Sequence, residues 1–353
     1  MDIRKAMVVG AGTMGAGVAQ LFAQNGIPVL LTDRSEDLAA KAVAGLEGRL
    51  AKRVEQGKLQ APAWEIVQIK GEPYQFLPPL LKDLGVKRLG LEAGDMTVAT
   101  HSVLQQALAG GPELVATLGL VEGLRAVKEP GEVSLLEEAA HLAEEALEYL
   151  SFHFKPRARE MDLAWQMEKY LREQGSEAPP FELIVASGPQ GALPHARPTD
   201  RALGEGEPVV IDIGARVLGY TSDITRTLAV GQADDKFKEI YSIVLEAQET
   251  VLGGIRPGMT GEEADRLARQ VIEKAGYGEA FGHGLGHGVG LATHEGPRLG
   301  PRSQDILTEG MVFTVEPGIY LPGWGGVRIE DMVVLEKEGP RPLTHAPKLR
   351  FRD

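Results

Sequence analysis

Asp212 and Asp223 are the first residues in this chain whose types and spacing suggest joint chemistry. Asp212 sits in segment 208–214 (PVVIDIG) and Asp223 in segment 220–227 (YTSDITRT), with Arg216, Val217, Leu218 and Gly219 between them. Both segments have strand character and the residues between suit a turn, so the stretch is predicted to be a β-hairpin. With the turn centred between Val217 and Leu218, the two aspartates face each other directly across the strands, their side chains about 5 Å apart. Like charges so placed are destabilising, and a divalent cation is the usual compensation. A turn centred elsewhere would instead leave Asp223 on a solvent face.

Four histidines add to the pair. His195 lies in segment 193–197 (LPHAR), and His283, His287 and His294 fall within the glycine-dense segment 281–298 (FGHGLGHGVGLATHEGPR). Packing alone explains three such histidines poorly, and the glycines would let backbone come close to a site. Further on, 311–318 (MVFTVEPG) and 326–334 (GVRIEDMVV) read as strands in which Glu316 and Glu330 interrupt apolar alternation. A buried carboxylate with no partner is costly. The chain has no cysteine, so it has no disulfide framework and no thiol nucleophile, and any metal must be held by carboxylate and imidazole. Asp212, Asp223, His287, Glu316 and Glu330 together make an oxygen-rich set with one imidazole, suited to two Mn, Co, Zn or Fe ions rather than to a structural zinc. Two ions roughly 3.5–4 Å apart can hold a bridging hydroxide at neutral pH and polarise a scissile carbonyl, so no side-chain nucleophile is required.

These groups need a scaffold to hold them. With 353 residues, 43% of them hydrophobic, the chain exceeds what one core usually supports, and two domains are expected. The first, 1–128, reads as a small α/β domain. It begins with a strand over 6–9, a helix over 15–24, a strand over 29–32 and a charged helix over 36–56. A strand over 65–69, a helix over 77–84, a strand over 88–91 and a helix over 98–108 follow. Glu129, Pro130 and Gly131 suit a linker, and a catalytic domain occupies 129–353. It opens with an amphipathic helix over 133–150 that puts Val133, Leu136, Ala140, Ala143 and Leu147 on one face. Thr260 and Glu263 look like a capping box for a helix over 262–275. The formal net charge of −13 argues against nucleic acid and anionic membrane as partners. No apolar run approaches the ~18 residues of a membrane span and no secretory pattern is visible, so a cytoplasmic location is expected.

The aspartate pair, HGLGHGVGLATHE (283–295), TVEPG (314–318) and RIED (328–331) resemble the pita-bread metallopeptidases, in particular Xaa-Pro dipeptidases and aminopeptidase P, from about residue 60 to 353. The resemblance implies an α+β pita-bread catalytic domain that hydrolyses Xaa-Pro bonds in short proline-containing peptides, with two divalent ions, Mn first among them. It implies that Asp212 and Asp223 chelate one ion, that Asp223, Glu316 and Glu330 also reach the other, and that His287 completes it. Glu316 would shuttle the proton, with His195 and His294 as hydrogen-bond donors to the intermediate and the substrate carbonyl. His283 would line the pocket, and Arg328 would orient carboxylates. Arg298 matches the place where prolidases hold a dipeptide's free carboxylate, though as a residue it reads equally well as a solvated surface arginine. Dipeptidase and aminopeptidase therefore both stay open. A homodimer is expected from the same resemblance.

The first 59 residues depart from that family and resemble the start of 3-hydroxyacyl-CoA dehydrogenase. Gly10, Gly12 and Gly15 follow an apolar strand, and Asp33 ends the next, as in a dinucleotide fingerprint in which the glycines admit a pyrophosphate and the acid holds a ribose. A fusion, a chimera and a ligand-free βαβα unit are the competing origins. A structural graft is favoured over NAD binding, because half a Rossmann unit lacks half of its contacts. Two other classes stay open. One is an NAD-binding 3-hydroxyacyl-CoA dehydrogenase-like protein. The other is a catalytically impaired pita-bread binding protein, against which the complete ligand set argues.

Overall fold

The computed structural model describes residues 6–9, 29–32 and 73–351. The helices expected over 15–24 and 36–56, the strand over 65–69, and Gly10, Gly12, Gly15 and Asp33 lie outside the described residues. The chain divides into two compact units, residues 1–124 and 125–353.

In the first unit, β1 (Ala6–Val9) and β2 (Val29–Thr32) pair in parallel, with Ala6 beside Val29. There follow α1 (Pro73–Asp83), β3 (Arg88–Glu92), α2 (Val98–Ala107), β4 (Glu113–Thr117) and α3 (Leu120–Ala126), within which the chain passes into the second unit. β3 and β4 are also parallel. Leu77 and Leu81, one turn apart on α1, meet Leu91, Leu104 and Leu108 in a small core. The Thr97 hydroxyl accepts from the Thr100 amide at 3.1 Å and starts α2.

The second unit opens with α4 (Pro130–Leu150). Glu129, Pro130 and Gly131, expected as a linker, are instead its cap and first turn. Pro130 has no amide to leave unpaired, and the Glu129 amide donates to Glu132 Oε2 at 2.8 Å. The expected apolar face is present, with Leu136, Ala140 and Ala143 fully buried. α5 (Glu160–Glu173) follows, then β5 (Ile184–Ser187), β6 (Pro208–Ile213), β7 (Arg216–Val217), β8 (Tyr220–Thr221) and β9 (Ile224–Ala229). β5, β6 and β9 form an antiparallel sheet covered by α4 and α5, where Leu150, Leu163 and Met167 pack against Val185, Val209 and Ile211. Each such side chain contributes about 1.5–3 kcal/mol by leaving water.

The hairpin's register differs from the expected one. Asp212 pairs with Thr225 and Val217 with Tyr220, which centres the turn between Leu218 and Gly219, one residue later than predicted. Both turn residues have positive φ, 47° at Leu218 and 87° at Gly219. That suits a two-residue primed turn, whose usual Asn-Gly or Asp-Gly signature is absent here. Asp223 is therefore the diagonal neighbour of Asp212 rather than its direct partner. It lies two residues before Thr225 and keeps the same face.

The rest of the unit comprises α6 (Asp235–Gly254), α7 (Gly261–Lys274), β10 (Gly286–Gly288), β11 (Glu295–Leu299), β12 (Val312–Val315), β13 (Gly318–Leu321), β14 (Gly325–Arg328), β15 (Asp331–Glu336) and β16 (Gly339–Pro342). The capping box at α7 is as expected, with Thr260 and Glu263 satisfying each other's amides. A second sheet, ordered β11-β10-β12-β15-β16, lies beneath α6 and α7, with Phe237, Tyr241 and Ile272 packed on Phe313, Val315 and Val333. β13 and β14 make a separate hairpin. Among the described residues no helix is long and apolar enough to cross a membrane.

Candidate metal centre

The five expected ligands come from five places in this scaffold. Asp212 is near the end of β6, Asp223 follows β8, and His287 is the middle residue of β10. Glu316 lies just past β12, and Glu330 lies between β14 and β15, so both acids sit at strand ends and not within the strands as predicted. There an acidic side chain can turn inward without breaking the apolar alternation that packs each sheet. All five line a single cavity of about 540 Å³.

Ligand atoms of Asp223, His287 and Glu330 lie within 4.8 Å of one another. The His287 Nδ1 faces the Gly288 carbonyl oxygen at 3.1 Å, which can only accept, so Nδ1 carries the proton and Nε2 presents a lone pair. That lone pair is aimed at carboxylates, 3.6 Å from Asp223 Oδ2 and 3.4 Å from Glu316 Oε1. Burial keeps the ring below the ordinary histidine range, so protonation does not relieve the repulsion. Asp212 Oδ1 and Glu330 Oε1 are buried with no hydrogen-bond partner. Burial, followed by the neighbouring carboxylates, pushes Asp223 and Glu330 well above the usual carboxylate range. Burial likewise carries Glu316 up to about 7. Unpartnered oxygens, an inward lone pair and mutually repelling acids are what a divalent cation would satisfy, so these residues fit a metal.

Around the acids runs a continuous hydrogen-bond chain. Arg328 donates from Nη2 to Asp212 Oδ2 at 2.6 Å, from Nε to the Thr225 hydroxyl at 3.0 Å and from Nη1 to the Tyr320 hydroxyl at 2.9 Å. Thr225 in turn donates to Glu330 Oε2 at 2.6 Å, so one guanidinium orients two acids. Tyr320 hands its proton toward His283 Nε2 at 2.9 Å, and His283 Nδ1 donates to the Gly284 carbonyl at 2.7 Å. Both ring nitrogens of His283 are thus committed within the protein. It borders the cavity but holds Tyr320 rather than offering a proton to a substrate. Thr314 plays a matching part, accepting from the His287 amide at 3.1 Å and donating to Glu316 Oε1 at 3.2 Å.

His195, His294 and Arg298 line the open side of the cavity. The His294 ring lies 4.0 Å from that of His287, and burial, followed by His287 and His195, lowers it to about 4, so it is neutral at pH 7. Arg298 is paired directly across from His287 in the β10–β11 ladder, so both side chains leave the same face. Among the described residues its guanidinium pairs with no carboxylate. His195 is carried on the segment between β5 and β6, which Glu160 anchors. That carboxylate, fully buried, accepts from the amide and hydroxyl of Ser187 at 2.8 and 2.6 Å and from those of Thr199 at 3.0 and 2.7 Å.

Gly284 and Gly286 border the cavity, as expected, and Gly286 and Gly288 have a packing role as well. A Cβ at Gly286 would strike the Thr314 carbonyl and one at Gly288 the Gly296 carbonyl, so they let β10 lie tight between its neighbours. Thr225, Thr314 and Tyr320 were missed by the sequence reading. The first two had a local signal, since each stands two residues from one of the expected ligand acids and so shares its face.

Residues 134–337 match metallopeptidase family M24, and residues 5–74 match the NAD binding domain of 3-hydroxyacyl-CoA dehydrogenase. An uncharacterized peptidase, YqhT, of Bacillus subtilis is 45% identical over 294 residues, which is 83% of each chain. The Xaa-Pro dipeptidase from Bacillus anthracis superposes with a TM-score of 0.79 at 45% identity, covering 84% of this chain and 83% of that one. The X-Pro aminopeptidase from Thermotoga maritima gives 0.76 at 38% identity, covering 85% of each.

Proposed function

Because this chain belongs to metallopeptidase family M24 and has its pita-bread fold, we propose that it hydrolyses Xaa-Pro dipeptides with two divalent ions held by Asp212, Asp223, His287, Glu316 and Glu330. The observation that carries this reading is the set of buried acids with unpartnered oxygens around the inward lone pair of His287. Two ions held there would supply a hydroxide nucleophile at neutral pH and polarise the scissile carbonyl; Mn is the first candidate, with Co, Zn and Fe accepted by the same donors.

The chain's own residues do the rest. Glu316, which lines the cavity beside His287, would take a proton from the nucleophile and return it to the departing nitrogen of proline. His294, neutral at that pH, offers an N–H to the substrate carbonyl oxygen, and His195 stands at the same wall of the cavity. Arg328 and Thr225 keep Asp212 and Glu330 in place while charge develops. Arg298 supports the dipeptide preference. Across from His287 and with no carboxylate partner among the described residues, its guanidinium would hold the carboxylate of a proline one residue past the scissile bond. A cytoplasmic homodimer acting on short peptides remains part of the proposal.

The test uses protein stripped of metal and reloaded with Mn, given Ala-Pro, Ala-Pro-Ala and Ala-Ala. Metal-dependent cleavage confined to the proline peptides is expected, with Ala-Pro preferred. In Arg298→Ala, kcat/KM for Ala-Pro should fall about 10- to 100-fold, the worth of one charge-assisted pair, with the tripeptide little changed. Equal losses on both peptides would refute the carboxylate role, and no metal-dependent cleavage at all would refute the function.

The match of residues 5–74 to an NAD binding domain favours a second reading, a dinucleotide site. The proposal keeps that segment as a structural graft, since the nicotinamide half of such a site needs later strands that here belong to the peptidase. No saturable change in NADH fluorescence is expected on titration with the protein, and one-to-one binding would reverse the assignment.

A further inference from the structure

One buried charge cluster takes no part in the chemistry above. Glu295, the residue after His294, does not line the cavity. Its Oε1 accepts from Lys128 Nζ at 2.8 Å, and its Oε2 accepts from Arg125 Nη2 and from the Ala292 amide, the latter at 3.3 Å. Lys128 is only 6% exposed. Its own amide donates to the Gly310 carbonyl at 2.8 Å, so the cation is fixed to the approach to β12. Burial lowers the Lys128 ammonium below its ordinary value, and Glu295 is the largest influence opposing that. Gly290 packs so closely on the Glu295 carboxylate that a Cβ there would collide with it.

These bonds converge on the short loop 290–296. On its other edge the Gly290 carbonyl accepts from the Thr221 amide at 2.8 Å and from its hydroxyl at 3.1 Å. Between the two clamps sits His294, whose ring makes no hydrogen bond among the described residues. An imidazole without a partner of its own points wherever its backbone aims it. We propose that Glu295, gripped by Arg125 and Lys128, is a positioning residue that holds the 290–296 loop so that the His294 ring stays over His287 and the substrate carbonyl. The inference rests on the donor role given to His294. A buried ion triad serving stability alone would leave the catalytic step untouched, and the two cases separate in a double-mutant cycle.

The cycle compares the Mn-loaded protein with Glu295→Gln, His294→Ala and the double variant, using Ala-Pro. Glutamine keeps the shape and the Ala292 contact and removes the charge. The expected result for Glu295→Gln is a fall in kcat of about 10- to 100-fold, the effect of a displaced catalytic group, with KM within about threefold and metal content unchanged. In the His294→Ala background the same change should cost less than about twofold, because the ring it positions is gone. Independent, multiplying losses would overturn the proposal, as would a loss confined to KM or to bound metal. If His294→Ala alone leaves kcat unchanged, the donor role falls and the proposal with it, while intact metal-dependent cleavage still upholds the peptidase. Should Glu295→Gln not fold, as judged by circular dichroism, Glu295→Asp withdraws the carboxylate by one methylene and reads the same cycle.

Discussion

Asp223→Ala should leave a folded protein that binds less metal and no longer hydrolyses Ala-Pro at a measurable rate. Asp223 shares the central cluster with His287 and Glu330 and is buried among acids that repel it. Removing it would withdraw a proposed ligand, and losing even an outer partner of a metal site typically costs about 10- to 100-fold, so a larger loss is expected here. The same substitution relieves repulsion when no ion is present. Chelated Asp223→Ala should therefore melt at a higher temperature than chelated parent, although the order reverses once Mn is added. Metal analysis, Ala-Pro hydrolysis and paired thermal melts check all three statements. Activity within tenfold of the parent would sink the assignment of the centre.

The second large effect is the pH dependence that the buried acids impart to the metal-free protein. Burial raises the Glu316 carboxyl from an ordinary 4.5 to about 7, and Asp223 and Glu330 move in the same direction. A raised acid binds its proton more tightly in the folded state than in the unfolded one. Its contribution is complete below about pH 4.5 and is lost as pH rises through 7. Glu316 alone accounts for a loss on the order of 3 kcal/mol over that interval. His283 and His294, each lowered to about 4, act in the opposite sense and gain stability as pH rises through about 6.5, so the Glu316 share is read against a variant: between pH 5 and pH 8 the melting temperature of the chelated parent should change less favourably than that of chelated Glu316→Gln. With Mn present the acids must be ionised to bind, so affinity and stability should both rise with pH across the same window. Chelated parent and chelated Glu316→Gln with the same pH dependence would contradict the picture of crowded, uncompensated carboxylates.

The proposed ligands were legible in the sequence because donor chemistry is a property of residue type. With no cysteine, a metal could use only acids and histidines, and Asp212, Asp223, His287, Glu316 and Glu330 stood out as acids or imidazoles amid apolar and glycine-rich strands. The helix that begins at Pro130 and the Thr260 cap were readable too, since helical periodicity and capping act over three or four residues. Register was not. The hairpin turn fell one residue later than expected because Leu218 and Gly219 form a primed turn without its usual residues, and a tight turn has few other local markers.

What tertiary structure alone decided are the pairings between strands distant in the chain. Arg298 became a cavity residue by lying across from His287 in an antiparallel ladder, and nothing in the spacing of the two chooses that register over its neighbours. Tyr320 joined the site through His283 and Arg328, and thereby made His283, expected to line the pocket, a support as well. Lys128 reached Glu295 across most of the second unit. Side-chain chemistry and short-range periodicity are written residue by residue, so the sequence determined which groups could bind metal and which segments would be helix or strand. Which of those groups face one another depends on how the sheets close and which buried charges find partners, and that is settled only when the whole core packs at once.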